Sequence, residues 1–374
     1  MVSYPSDWEF RNVGEICHIS TGTGDTKDAV PNGLFPFFVR SKKVERINDF
    51  EFEGEAVLTA GDGVGTGKVF HYVDGRFKAH QRVYVLNNFQ NFDTRFFYYY
   101  FSSAFLDEVE KYTAKSSVDS VRRPMIANMR IPRPRLPEQR AIAEVLSGFD
   151  EHLANLDELI TKKKAIRDGA LEGLMSRDLR LDGYNMPWAV RSLDEIAHSR
   201  RESSTGDPMD MDVELENLLP GEGQVVGDTS VRTAASFIFR PGDVLFGRLR
   251  PYLKKYWLAT CSGLRSGEIW ALAAKDGIDP RFLFHLVRSQ RFLDAAGKTM
   301  GTKMPRADWS LLKTESFEVP EVDEQRAIAE VLSGMDDEIH LLAEERAKAE
   351  RLKLGAMDDL LTGRVRLTLG KEAA

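Results

Sequence analysis

The eight residues GDGVGTGK, Gly61–Lys68, come nearest to phosphate chemistry in this 374-residue chain. A phosphate loop needs Gly, four residues, Gly-Lys, then Ser or Thr, so that backbone amides cradle the phosphates and the hydroxyl holds a metal ion. Counting back from Gly67-Lys68 puts Asp62 where the first glycine should stand, and Val69 follows the lysine. The stretch reads instead as a glycine-rich hairpin loop between strands. The seven histidines are scattered, without HxxxH or HExxH spacing, and support no metal site. No GxSxG nucleophile elbow, no Asn-Pro pair and no nuclease-like carboxylate set occurs. Cys17 and Cys261 lie far apart without CxxC or Cys/His partners, which fits a reducing compartment. These patterns point to a binding protein rather than an enzyme.

Basic and polar residues cluster where binding could occur. The first half groups Arg40, Ser41, Lys42 and Lys43, then Lys78, His80, Gln81 and Arg82, then Ser116, Ser117, Arg122 and Arg123. The second half groups Arg248, Arg250, Tyr252, Lys254 and Lys255, then Thr302, Lys303 and Arg306. Arg and Lys serve phosphates and guanine edges, and Gln can pair with adenine. Any one of these side chains is as readily a solvated surface charge. Together they favour a nucleic-acid partner.

The elements that must position these clusters come in two copies. EQRAIAEVLSG occurs unchanged at Glu138–Gly148 and Glu324–Gly334, and the register holds without a gap to Leu181 and Leu367. Asp93-Thr-Arg-Phe and Asp279-Pro-Arg-Phe keep the same offset of 186, while Trp8 and Trp188 near the start of each half match at 180. So long a period is not a solenoid. It divides the chain into residues 1–135, a variable domain; 136–183, a repeated helix; 184–320, a second variable domain; and 321–374, the helix again. Strand-like runs such as EAVLTA, QRVYVL and DVLFG, followed by helical stretches, give each variable domain an α+β (mixed α/β) character with a twisted sheet.

In the repeated segments apolar residues fall at Ile142, Leu146, Phe149, Leu153, Leu156 and Ile160, and at Ile328, Leu332, Met335, Ile339 and Leu342. Spacings of 4 and 3 mark the seam of a helix packed on another helix. Beyond them each seam is expected to drift through Ile166 or Leu352. Pro137 suits a first helical turn, Asp323 a cap and Gly363 a stop. At roughly 40 residues each helix would run about 60 Å. The expectation is a pair of long antiparallel helices, coiled-coil-like, joining the two domains as a spacer in a pseudo-two-fold repeat. Such a molecule suits a two-part site on DNA.

The net charge of −7 at first speaks against nucleic acid. Over the four segments it divides as +1, −3, 0 and −5, so the acidity lies mostly in the helices and each variable domain is balanced. The beginning of the chain lacks the order of a signal peptide, and no apolar run reaches membrane-spanning length, so a cytoplasmic protein with no membrane contact is expected.

LPEQRAIAEVLSGFDEHLANLDELITKKKAIRDGALEGLMSRDLRL and its copy DEQRAIAEVLSGMDDEI…LLTGRVRL, with FRPGDVLFGRLRPYLKK and GTKMPRADWSLLK, resemble the specificity subunit of type I restriction–modification enzymes. The resemblance covers nearly the whole chain. It implies two target recognition domains that each read half of a bipartite double-stranded DNA site. It implies helices that set the spacer and dock two modification (methyltransferase) subunits. S-adenosylmethionine and ATP would then belong to partner subunits, up to two restriction subunits would join, and this chain would hold no cofactor. Two alternatives stay open: a specificity subunit of a fused methyltransferase–nuclease, and a coiled-coil scaffold that binds proteins.

Overall fold

The computed structural model describes residues 4–63, 65–111, 120–204, 209–230, 237–298 and 305–367. The chain forms two compact units, residues 1–156 with 345–374, and residues 157–344. Both division points fall inside the long helices, so each helix gives one half to each unit.

The first unit contains β1 (Glu9–Asn12), α1 (Val13–Ile16), β2 (His18–Thr21), β3 (Phe35–Phe38), β4 (Glu45–Ile47), β5 (Phe52–Ala60), β6 (Phe70–Ala79), β7 (Val83–Asn87), α2 (Thr94–Glu110), α3 (Arg123–Ala127), β8 (Arg130–Arg133) and the start of α4 (Leu136–Ser176). Six strands form a sheet in the order β2-β7-β5-β6-β3-β4, and β1 pairs with β8. Side chains on a strand alternate between faces. Val57 and Leu86 therefore meet the aromatic face of α2 (Phe96, Phe97, Phe101, Phe105), while Ala56, Leu58, Val83 and Val85 meet a second core with Phe38 and Phe77. Asp93 caps α2 by accepting from the Phe96 amide at 2.9 Å.

The second unit contains β9 (Ala189–Ser192), α5 (Leu193–Ile196), β10 (Ala197–Ser199), β11 (Asp212–Val213), β12 (Phe237–Phe239), β13 (Val244–Gly247), β14 (Tyr256–Leu258), β15 (Gly263–Arg265), β16 (Ile269–Ala274), α6 (Pro280–Arg288), α7 (Gln290–Gly297), α8 (Trp309–Leu312), β17 (Ser316–Val319) and α9 (Val322–Leu361). Its sheets run β10-β16-β13-β14 and β11-β15-β12, with β9 on β17. The repeat is visible element by element: β9–β17 pair as β1–β8 do, and α6 with α7 occupies the position of α2. The single helix of the first unit is broken in the second at Ser289, whose extended ψ of 149° ends α6 while its side chain caps α7.

The seam residues named from sequence are all sheltered. Ile142, Leu146, Leu156, Ile328, Leu332 and Ile339 are buried; Phe149, Leu153, Ile160, Met335 and Leu342 are half-buried. Two expectations need correction. Ile166 and Leu352 are exposed, at 59% and 55%. The seam does not drift; it keeps its 3- and 4-residue steps through Lys163, Arg167, Ala170 and Leu174, and through Arg346, Ala349, Lys353, Ala356 and Leu360, none of them exposed. Charged side chains occupy the positions where only apolar ones were sought. Asp323 is not a cap: α9 starts one residue earlier, which places Asp323 in the first turn, where its charge suits the helix dipole. At the other end Gly363 (φ +70°) does stop α9, with Val365 N–H donating to the Asp359 carbonyl at 3.2 Å. Its counterpart is Arg177, held left-handed at φ +68°, with Leu179 N–H donating to the Gly173 carbonyl at 2.9 Å.

Candidate nucleic-acid interface and helix seam

In the first unit the glycine-rich loop follows β5 and returns into β6 as a hairpin. Gly65 lies so near the chain at Arg40 that a Cβ there would stand 2.4 Å from the Arg40 carbonyl oxygen. The loop presents Asp62, whose carboxylate takes Arg40 at 2.8 Å and Arg82 at 2.5 Å. Desolvation pushes the Asp62 carboxyl up, but the two guanidiniums outweigh it and hold the group below its ordinary value. The Val121 amide donates to the Gly61 carbonyl at 2.7 Å, which brings the exposed Arg122 and Arg123 to the same edge. Other candidates are engaged within the fold: Lys43 with Glu45 at 2.8 Å, Lys78 with Asp49 at 2.6 Å, and the Ser41 hydroxyl with the Lys43 carbonyl at 3.0 Å. His80 is buried, and its Nδ1 accepts from the Arg82 amide at 3.0 Å. Burial, followed by the Arg40 charge, lowers its pKa and keeps the ring neutral. Lys42 and Gln81 are exposed. Ser116 and Ser117 lie outside the described residues.

The second unit builds the same edge with different side chains. Position 248 follows β13 as position 61 follows β5, and Ala307 N–H donates to the Arg248 carbonyl at 2.9 Å, as Val121 does to the Gly61 carbonyl. Here an arginine stands in the place of Gly61, and Leu249 in the place of Asp62. Arg248 lies over the Trp270 ring at 5.9 Å and lines a cleft of about 550 Å³ with Arg201, Arg306, Trp309 and Lys313. Arg306 grips Glu268 with Nε–O distances of 3.1 and 3.0 Å. Arg250 and Lys254 are left-handed (φ +52° and +53°) and flank a turn that exposes Tyr252; Lys255 donates to the Leu215 carbonyl at 2.6 Å. Thr302 and Lys303 lie outside the described residues. Arg201, Lys313, Trp270 and Trp309 were missed in the sequence, although Trp309 and Lys313 stand inside GTKMPRADWSLLK; a basic residue near an aromatic was the available signal.

The doubled phrase has a chemistry of its own. Glu138, 4% exposed, accepts from Arg366 Nε and, at 2.8 Å, from its Nη2; Arg366 also reaches Asp7 at 3.0 Å. Glu324, 2% exposed, accepts from Arg180 at 3.0 Å. The buried amides of Gln139 and Gln325 each accept from the backbone N–H of the N-cap residue of their own unit's helix layer, Asp93 or Asp279, at 2.8 Å, and donate to the Pro134 or Pro320 carbonyl at 2.8 and 2.9 Å. Gln therefore fastens the start of each long helix to its own domain and Glu ties it to the arginine that follows the end of the other long helix, which explains why both repeat with the apolar residues. Further along, Asp150 takes Lys353 at 2.5 Å and the Tyr99 hydroxyl at 2.6 Å. Its counterpart Asp336 takes Arg167 at 2.8 Å and both Nη atoms of Arg288. His285, in the place of Tyr99, meets Ser333 at 3.3 Å; burial, then the Arg288 charge, pushes its pKa down to about 3.

Residues 5–165 match the family described as the type I restriction modification DNA specificity domain. Over longer stretches the chain is similar to the type I restriction enzyme EcoDI specificity subunit of Escherichia coli, 25% identical with 87% of this chain and 80% of the relative covered. It is also similar to the MjaVIII specificity subunit of Methanocaldococcus jannaschii, 24% identical with 97% and 94% covered. The fold is that of the type I S subunit from M. genitalium, at TM-score 0.64 and 18% identity over 97% of both chains. A chain from a structural study of type I complex assembly and conformational transition aligns at TM-score 0.57 and 16% identity, over 97% of this chain and 100% of that one. Among the described residues no helix is long and apolar enough to cross a membrane, and no three metal-type ligands gather. The edge of the second unit is basic and aromatic-lined, while that of the first pairs two arginines with Asp62.

Proposed function

We propose that this chain is the non-catalytic, DNA-reading specificity subunit of a cytoplasmic type I restriction–modification enzyme. Residues 1–135 and 184–320 are its two recognition domains, each reading half of a bipartite duplex site. The helices of 136–183 and 321–374 set the spacer and dock two modification subunits. Those partners bring S-adenosylmethionine, and up to two restriction subunits bring ATP-driven cleavage. One observation carries this reading: the domain matched at residues 5–165 is rebuilt in the second half, down to the Glu and Gln anchors. A reader built twice suits a site in two parts. The acidic helices support docking to protein rather than to phosphate. An electrophoretic shift of duplex DNA with the chain and its modification subunit should show binding that weakens steeply with salt. Absence of salt-sensitive binding by that complex sinks the reading and favours a protein scaffold.

A further inference from the structure

We infer that the cleft beside Trp270 clamps a backbone phosphate of the duplex through Arg248, with Arg201 and Lys313 beside it, and that it positions the second recognition domain without reading a base. The inference rests on the DNA-reading function proposed above. Several basic side chains at the two edges already have a partner: Arg40 and Arg82 hold Asp62, and Arg306 holds Glu268. Arg248 differs. Its backbone is pinned on both sides, its N–H to the Glu268 carbonyl and its carbonyl to the Ala307 N–H, each at 2.9 Å. Its guanidinium is steadied over the Trp270 indole rather than by a carboxylate, and its buried Nε has no hydrogen-bond partner among the described residues.

A desolvated, preoriented donor of this kind calls for an acceptor from outside. The carboxylates nearby cannot serve: Glu268 is taken by Arg306, and Asp308 accepts from the Ser310 amide at 2.8 Å and hydroxyl at 2.7 Å. The cleft therefore keeps an excess of positive charge, supplied by Arg201, Arg248 and Lys313. Its ligand is an anion with several acceptor oxygens, and a phosphodiester fits. At the equivalent position of the first unit stands Gly61, which has no side chain, so the clamp belongs to the second unit alone.

The test uses the complex with its modification subunit. Affinity is measured by fluorescence anisotropy across a salt series, on duplex carrying the methylated motif and on unrelated duplex, for Arg248→Gln and for the surface variant Lys313→Gln. Thermal melting confirms folding. The inference expects weaker binding on both duplexes, on the order of tenfold for Arg248→Gln and less for Lys313→Gln. It expects a salt slope lower by about 1, and an unchanged methylated motif. A wild-type slope in both variants overturns it, and so does relaxation of one base in the motif, which would make Arg248 a base reader. If the wild-type complex itself shows no salt-sensitive binding, the proposed function fails instead.

Discussion

The two units hold the same aspartate of the repeated helix in different ways. Asp150 is met by Lys353 and a tyrosine hydroxyl, at a place where the carboxylate keeps 44% of its exposure. Asp336 is met by two arginines, Arg288 and Arg167, with side chains 2% and 8% exposed, beside a buried neutral histidine. The scaffold is common, but the second unit has made the contact internal. A buried charge loses hydration and depends wholly on its partner, whereas a half-exposed pair is screened by water. Equal geometry at the two sites should therefore carry unequal energy.

The largest expected effect comes from breaking the internal site. Asp336→Ala leaves the buried Arg288 without a carboxylate and Arg167 with Asp168 alone, and should destabilise by about 3–5 kcal/mol, while Asp150→Ala should cost about 1 kcal/mol or less. Denaturant unfolding of both variants measures this, and equal losses would break the comparison.

Acid sharpens it. The folded pKa of His285 lies far below its ordinary 6.5, so the unfolded chain takes the proton first. The stability this group contributes is complete above about pH 6.5 and falls by up to about 1.4 kcal/mol per pH unit as the pH drops toward 3. Asp336 acts only further down. Burial raises its carboxyl, Arg288 and Arg167 outweigh this, and its contribution is lost below the ordinary 3.8 as the pH falls through the depressed value. His285→Gln should thus make the fall below pH 6.5 shallower, leaving the smaller part that His71 and His80, also lowered by burial, contribute. A melting profile as steep as the wild type's between about pH 6.5 and 4 would count against the buried, neutral histidine.

The glutamine anchors should differ less, Gln325 adding only a bond to the Gly277 carbonyl at 3.0 Å. Gln139→Ala and Gln325→Ala each strand a buried backbone carbonyl and amide, and each should lose roughly 1–3 kcal/mol. Amide exchange at the starts of α4 and α9 would reveal unequal anchoring if it exists. The smallest effects should come from the exposed apolar pair: Ile166→Ala and Leu352→Ala should stay within about 0.5 kcal/mol, against roughly 2–5 kcal/mol for the buried Leu156→Ala. A large loss at Ile166 would restore the drifting seam.

Much of this architecture was legible because it rests on local regularities. The repeat, the apolar seam from Ile142 to Ile160, the hairpin at Gly61–Lys68 and the stop at Gly363 are written as spacing or as single residue types. What stayed hidden depends on partners distant in the chain. Arg40 and Arg82 look like free cations until the fold brings Asp62 between them, and His80 looks available until burial closes it in. Arg167 and Lys353 were invisible as seam members because a search for apolar residues steps over charges, although their spacing never left the heptad. The break at Ser289 has no proline or glycine to announce it. The cleft at Arg248 joins residues from four separate stretches, and only tertiary structure assembles it.

The central claim is that two rebuilt domains read two half-sites. Methylation sequencing of a host that expresses this chain with its modification subunit tests it most directly. The account predicts methylated adenines in one bipartite motif, two specific parts separated by an unspecific spacer. A single uninterrupted motif, or no motif dependent on this chain, would contradict it.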